Sequence, residues 1–162
     1  MDAGTHEKSA AKIALGFSLL FLLAVVFFFA HPQLNIGSDT ASYLRSMSVL
    51  EGSPLPAHFV PNRILTTFLG LGTVLFFSKL FGNVLAAWFF VNAVLFLATA
   101  FLFYGMLRIL FRSEATALLG TLFLAANYAM LDFGLNYFMD MGGWFFYVAS
   151  LYFLARYVAY RT

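Results

Sequence analysis

The chain has 162 residues, of which 62% are hydrophobic, 20% aromatic and only 10% charged. A soluble domain carries about a quarter charged residues, so this composition excludes an ordinary water-soluble protein and indicates an all-α integral membrane protein. The absence of cysteine excludes disulfide bonds and thiolate metal sites, and the net charge of +2 is informative only through where the charges lie.

The first apolar segment, residues 13–30, follows a polar head that carries Lys8 and Lys12. As a helix it would be about 27 Å long, close to the thickness of the hydrocarbon core. A signal peptide would begin in a similar way, but its apolar part is shorter and ends at a small-residue cleavage site. Here His31 and Pro32 follow instead, so we predict a retained membrane span.

Later apolar segments predict further spans at about residues 84–107, 115–131 and 141–157. Residues 64–81 are also apolar but are interrupted by glycines and Lys79. If this segment does not cross, six of the nine basic residues are cytoplasmic, which the positive-inside rule favours. We therefore predict one membrane domain, residues 1–162, with four spans, both termini cytoplasmic, in the plasma or inner membrane.

The predicted outer loop, residues 31–83, contains two predicted interfacial helices, at about residues 39–51 and 64–81. In the first, Tyr43, Met47 and Leu50 recur at the spacing of one helix face. Ser38 or Asp39 can cap its start, and Gly52 with Pro54 ends it. These features predict a helix that lies on the membrane surface.

Acidic residues at the predicted outer face are the main candidates for chemistry. Asp39 opens the first surface helix, and Asp140 stands at the outer mouth of the fourth span. Each has a structural alternative, because Asp39 can serve only as a helix cap and Asp140 only as an acid favoured by the helix dipole. Two carboxylates on one face could instead share an acid/base task or a divalent cation.

Three further residues of the loop are candidates for substrate contacts. Arg63 could hold a lipid phosphate, or it could be a basic residue that extends to the interface. Tyr43 could face substrate or be an interfacial aromatic residue, and His58 lacks the spaced partner that a metal site needs.

The order of four short motifs resembles the GT-C superfamily of membrane glycosyltransferases, which includes protein O-mannosyltransferases and lipid A aminoarabinose transferases. The motifs are Asp39-Thr-Ala-Ser-Tyr43 with Leu50-Glu-Gly52, Pro61-Asn-Arg63-Ile-Leu, Lys79-Leu-Phe-Gly82, and Asn136-Tyr-Phe-Met-Asp140. The resemblance runs from about Leu15 to Arg156 and covers only the first part of the family's fold, which has at least seven spans.

The resemblance implies a role for each matching residue. Asp39 would be the catalytic base, Asp140 would help to form the acceptor or metal site, and Arg63 would meet the phosphate of a polyprenyl-phosphate sugar donor. Many family members carry a second acid where this chain has Thr40, which argues against a metal-dependent mechanism.

The sequence thus favours a cell-envelope glycosyltransferase, or its N-terminal half, acting on a polyprenyl-phosphate sugar. One alternative is an inactive or split half-module that a second polypeptide completes. Another is a small transport or assembly protein without enzymatic activity. Transporters usually bury a polar or charged residue at the midplane, and the predicted spans hold only Asn92 and Asn127 with threonine and serine, which makes this alternative weaker. The expected partners are the lipid bilayer and the donor lipid, and no nucleic acid.

Overall fold

A computed structural model describes residues 3–30, 38–54, 70–135 and 140–161. These residues contain helices and connecting turns but no strand, which confirms the all-α prediction for the part of the chain described. The helices are α1 (Ala3–Ala30), α2 (Ser38–Leu50), α3 (Gly72–Phe81), α4 (Val84–Phe111), α5 (Glu114–Ala125), α6 (Tyr128–Leu135) and α7 (Asp140–Arg161).

Helix α4 is the central element of the fold. It packs against α3, α5, α6 and α7, while α1 packs against α5. Its 28 residues correspond to a length of about 42 Å. Within the described residues, α4 is the one helix long and apolar enough to cross a membrane, and the other apolar helical segments are shorter.

Polar side chains at the helix ends explain where α4 and α5 begin. The Asn83 side chain accepts hydrogen bonds from the backbone N–H groups of Leu85 and Ala86, at 2.9 and 3.1 Å. Ser113 accepts one from the N–H of Thr116 at 3.2 Å. Asparagine and serine are preferred N-caps because they satisfy N–H groups that have no partner within the helix.

The turn between α3 and α4 depends on a glycine. Gly82 ends α3 with φ of 66° and donates its N–H to the carbonyl of Ser78. Glycine adopts this left-handed conformation without the steric cost that other residues meet. The short turn brings α3 back along the start of α4.

The segment predicted as the third span, residues 115–131, contains two helices. Helix α5 ends at Ala125, and α6 begins at Tyr128. The Asn127 side chain accepts a hydrogen bond from the N–H of Ala129 at 2.9 Å, so this residue caps the start of α6. Hydropathy does not reveal such a break, because both sides of it are apolar.

Other helix bounds differ modestly from the predicted ones. Helix α1 begins at Ala3 and so includes most of the predicted polar head. Helix α2 starts and ends one residue earlier than predicted, and α7 extends to Arg161. Of the predicted interfacial helix at residues 64–81, the part before residue 70 lies outside the described residues.

Two groups of buried side chains form the interior. The larger core joins α1, α4, α5, α6 and α7, and includes Leu15, Leu19, Phe96, Ala117 and Met141. The second, here called the apolar cluster, joins α2 and α3 to the first turns of α4. It consists of Tyr43, Met47, Leu71, Val74, Ala87 and Trp88.

Large apolar side chains also point away from the protein on several helices. On α1, α5 and α7 they are aromatic as well as aliphatic, and they include Phe17, Phe21, Phe123, Phe146 and Phe153. Soluble proteins rarely expose extended apolar surface of this kind without a partner or a membrane to cover it.

Candidate functional site

The structure locates the backbones of the two predicted catalytic acids at helix starts. Asp39 is the second residue of α2, and its side chain lies outside what the structure describes. Asp140 is the first residue of α7, with an exposed side chain. Helix α2 packs on α3, whereas α7 packs mainly on α4 and α6.

Tyr43, a predicted substrate contact, is a packing residue in the structure. Its side chain is 9% exposed, and its ring lies edge-on to that of Trp88 with centroids 5.8 Å apart. Edge-to-face pairs of this kind add to the stabilisation from burial. The pair connects α2 to the first turns of α4. The other predicted contacts, Arg63 and His58, lie outside the described residues.

Helix α2 has the amphipathic character that its sequence predicts. Tyr43 and Met47 are buried, whereas Ser42 and Arg45 are exposed. Two polar residues depart from this pattern, because Thr40 is fully buried and Ser46 is 8% exposed although its hydroxyl is polar. That hydroxyl donates to the carbonyl of Ser42 at 2.9 Å, so its burial leaves no unsatisfied donor. The helix therefore has one face fixed by packing and one open face.

A second polar region lies at the other end of α4. It is a cavity of about 550 Å³ between α1, α4 and α7, here called the basic cavity. Its lining residues are Lys12, Phe101, Tyr104, Gly105, Arg108, Ile109, Tyr152 and Arg156. Along the axis of α4, Trp88 and Arg108 are about 30 Å apart. The apolar cluster and the basic cavity are therefore at opposite ends of one helix.

An ion pair holds Arg108 beside the basic cavity. The Nε atom of Arg108 lies 2.6 Å from Oε1 of Glu114, and the Tyr104 hydroxyl donates a hydrogen bond to Oε2 of the same carboxylate. The guanidinium carbon of Arg108 also lies 6.0 Å from the centre of the Tyr104 ring. Glu114 is the first residue of α5, where the helix dipole favours a negative charge.

The remaining positive charges of the basic cavity come from two other helices. Lys12 on α1 and Arg156 on α7 have exposed side chains. Within the described part of the chain, an ion pair is present at Arg108 but not at Lys12 or Arg156. One of the three lining cations is thus neutralised by a carboxylate, and the other two give the cavity an excess of positive charge.

Close packing of α7 on α4 shapes one wall of the basic cavity. A Cβ atom added to Gly105 would lie 2.9 Å from Cε2 of Tyr152, closer than side chains tolerate. The missing side chain therefore lets the Tyr152 ring lie directly on α4. Small residues allow this kind of close approach between neighbouring helices.

No local sequence pattern predicts the basic cavity. In the sequence, Lys12, Arg108 and Arg156 are basic residues near the ends of predicted spans, and no motif includes Tyr104 or Glu114. The positive-inside count predicts that the three cations lie on one side of a membrane. That they share a cavity depends on how α1, α4 and α7 pack, which no local pattern encodes.

The described residues contain no group of three or more His, Asp or Glu side chains that could hold a metal ion.

Comparisons with protein-family models, with curated proteins and with solved structures found no match for this chain. Its function must therefore be inferred from the two ends of α4.

Proposed function

We propose that the chain is a multi-pass membrane protein with four crossings and both termini in the cytoplasm. The length and apolarity of α4 and the outward-facing aromatic residues of α1, α5 and α7 support this arrangement. Lys12, Arg108 and Arg156 line one cavity, as expected if they lie on the same side. The proposed third crossing, residues 115–131, includes most of α5 and the start of α6.

Single-cysteine labelling tests this topology cleanly, because the natural sequence has no cysteine. Glu51→Cys and Leu110→Cys both replace exposed residues. In intact cells, a membrane-impermeant maleimide should modify position 51 and leave position 110 unmodified until the membrane is opened. Labelling of position 110 from outside would contradict the proposed orientation.

In this membrane, the proposed activity is glycosyl transfer from a polyprenyl-phosphate sugar at the outer face, with the chain forming the N-terminal part of the catalytic fold. One observation carries the proposal: the Tyr43 ring of α2 contacts Trp88 of α4, and Asp39 lies in the first turn of the same α2. Helix α3 then ends at Gly82 directly before α4. This order of surface helix, second helix and span is the one that the GT-C resemblance predicts.

The proposed reaction is a substitution at the anomeric carbon of the donor sugar. The acceptor hydroxyl oxygen attacks the anomeric carbon of the sugar, while the bond from that carbon to the phosphate oxygen breaks. The electron pair leaves with the polyprenyl phosphate, and Asp39 takes the acceptor proton. A carboxylate beside an apolar surface is a stronger base than one in water, because its ionised form is poorly solvated.

The donor explains why the proposed base belongs on a surface helix. A polyprenyl chain lies in the hydrocarbon region and its phosphate lies at headgroup level, so the reacting carbon is at the interface. Helix α2 is buried on one face and polar on the other, which suits an interfacial position. Arg63 is the proposed contact for the donor phosphate, and Asp140 the proposed acceptor-site residue.

The activity test compares two carboxyl-to-amide variants in the full-length chain, reconstituted in liposomes with a radiolabelled polyprenyl-phosphate sugar. Asp39→Asn should lower transfer by about 100-fold or more, the usual contribution of a general base. Glu51→Gln is the matched control, since Glu51 is exposed just beyond α2. Equal transfer by both variants would contradict the role of Asp39.

A binding assay for the donor lipid distinguishes an active transferase from a half-module and from a transport or assembly protein. A photoreactive polyprenyl phosphate should label the wild-type chain and Asp39→Asn alike, because the base acts on the acceptor. Labelling without transfer by the wild-type chain would support the half-module that a second polypeptide completes. Neither labelling nor transfer would favour a transport or assembly role.

A further inference from the structure

We propose that the basic cavity is a binding site for a phosphate group at the membrane surface, separate from the proposed glycosyl-transfer site. An anionic phospholipid headgroup and a soluble phosphate compound both carry this chemistry, and the experiment below distinguishes them. The inference does not depend on the glycosyl-transfer proposal, since it concerns the opposite end of α4.

The first argument is the charge of the cavity. Cationic side chains from α1, α4 and α7 converge on it, and the described residues supply one carboxylate, Glu114, which is paired with Arg108. Lys12 and Arg156 are like charges that line one cavity, so they repel each other, and water screens part of this repulsion because both side chains are exposed. A bound anion would relieve that repulsion.

The second argument is the orientation of Arg108. Arg108 approaches Glu114 most closely through Nε, and its two terminal amino groups carry further N–H donors. Glu114 is fixed in turn by the Tyr104 hydroxyl and by its place at the start of α5. A guanidinium whose Nε edge faces Glu114 can present its amino groups to a second anion. Its planar pair of N–H donors matches two oxygen atoms of a phosphate, whereas a halide is a single atom.

The third argument is the mixed character of the walls. Phe101, Ile109 and Tyr152 supply apolar surface beside the three cationic side chains. A volume of about 550 Å³ exceeds what a bare phosphate ion needs and lies in the range of small-molecule sites. The cavity therefore suits a phosphate attached to an organic group, such as a glycerol backbone.

The test compares two double variants of the full-length chain that change the net charge equally. Lys12→Gln with Arg156→Gln removes both unpaired cations of the cavity. Arg45→Gln with Arg161→Gln is the control, because both residues are exposed and neither lines the cavity. Each protein is reconstituted in phosphatidylcholine nanodiscs with a small fraction of phosphatidylglycerol, and co-purifying lipid is counted by native mass spectrometry.

We expect the cavity variant to bind phosphatidylglycerol about tenfold more weakly than wild type, equivalent to ~1.4 kcal/mol, and the control to bind within about twofold of wild type. A third protein, Lys12→Arg with Arg156→Lys, preserves both charges and should retain binding, which shows that charge and not side-chain shape is responsible. Equal binding by the cavity variant and the control would overturn the proposal, as would loss of binding in the charge-preserving protein.

A competition arm identifies the source of the phosphate. Inorganic phosphate and glycerol 3-phosphate are added at millimolar concentration to the wild-type nanodiscs, at constant ionic strength. Retention of phosphatidylglycerol would support a lipid headgroup site, and its displacement would support a site for soluble phosphate compounds. Displacement by chloride to the same degree would overturn a phosphate-specific site.

Discussion

The two ends of α4 use the same helix for different purposes. At its start, Trp88 is fully buried in the apolar cluster and contacts Tyr43 of α2. Near its end, Arg108 faces a cavity of about 550 Å³ and pairs with Glu114. The first end is closed and apolar, and the second is open and charged. In the two proposals made above, the first end holds a surface helix and the second presents donors to a ligand.

The largest expected effect is at the closed end. Trp88→Ala removes a fully buried indole, and such truncations cost about 3–5 kcal/mol in a protein core. Residues 38–50 should exchange their amide hydrogens faster because α2 loses the ring contact between Tyr43 and Trp88. Phe123→Ala is the control, since that ring is 78% exposed. Unchanged hydrogen exchange in α2 would show that the apolar cluster does not stabilise this helix. The contrast drawn between the two ends of α4 would then be wrong.

An intermediate effect is expected where α7 approaches the basic cavity. Gly105→Ala places a Cβ atom 2.9 Å from the Tyr152 ring, and overpacking of this kind costs about 1–3 kcal/mol. Phosphatidylglycerol binding should weaken because the ring must move from the cavity wall. Stability is measured by unfolding in mixed micelles.

Gly120→Ala is the matched control for that variant. Its added Cβ would meet Cδ1 of Leu107, the end of a flexible side chain that can turn aside. It should cost less than Gly105→Ala and leave lipid binding unchanged. If Gly120→Ala weakened lipid binding as much as Gly105→Ala, the effect would belong to general packing and not to the cavity wall.

The smallest expected effects are the losses of stability when a helix cap near either end of α4 is removed. Asn83 accepts two N–H groups at the start of α4, and Asn83→Ala should cost about 1 kcal/mol. Ser113 accepts one N–H group at a longer distance, so Ser113→Ala should cost roughly half as much. The same unfolding measurement applies. A larger loss for Ser113→Ala would indicate that Ser113 also supports the Glu114–Arg108 pair beside it.

Local pattern accounts for most of the helices but for only part of the candidate sites. The apolar spacing of Tyr43 and Met47 predicted α2 and its buried face, because both follow from helix periodicity. The partner of Tyr43 could not be predicted, since Trp88 is 45 residues further along the chain. The basic cavity was missed for the same reason, as its cations come from three helices.

The break before α6 shows a different limit. Asn127 is a good N-cap, but an isolated asparagine in an apolar segment can also hydrogen-bond a neighbouring helix. Only the structure distinguishes these two uses. The roles predicted for Asp39, Arg63 and Asp140 depend on the order of motifs, and they stay predictions, as does the substrate contact at His58.

The same break has a consequence for how the protein enters a membrane. Helix α5 has 12 residues and is only about 18 Å long, which is shorter than the hydrocarbon core. A segment of this length is poorly retained in lipid by itself, whereas α4 is long enough to insert alone. In the proposed topology, α5 and α6 therefore enter with the help of helices already in place. Biogenesis of the third crossing would be a cooperative event that depends on α1 and α4.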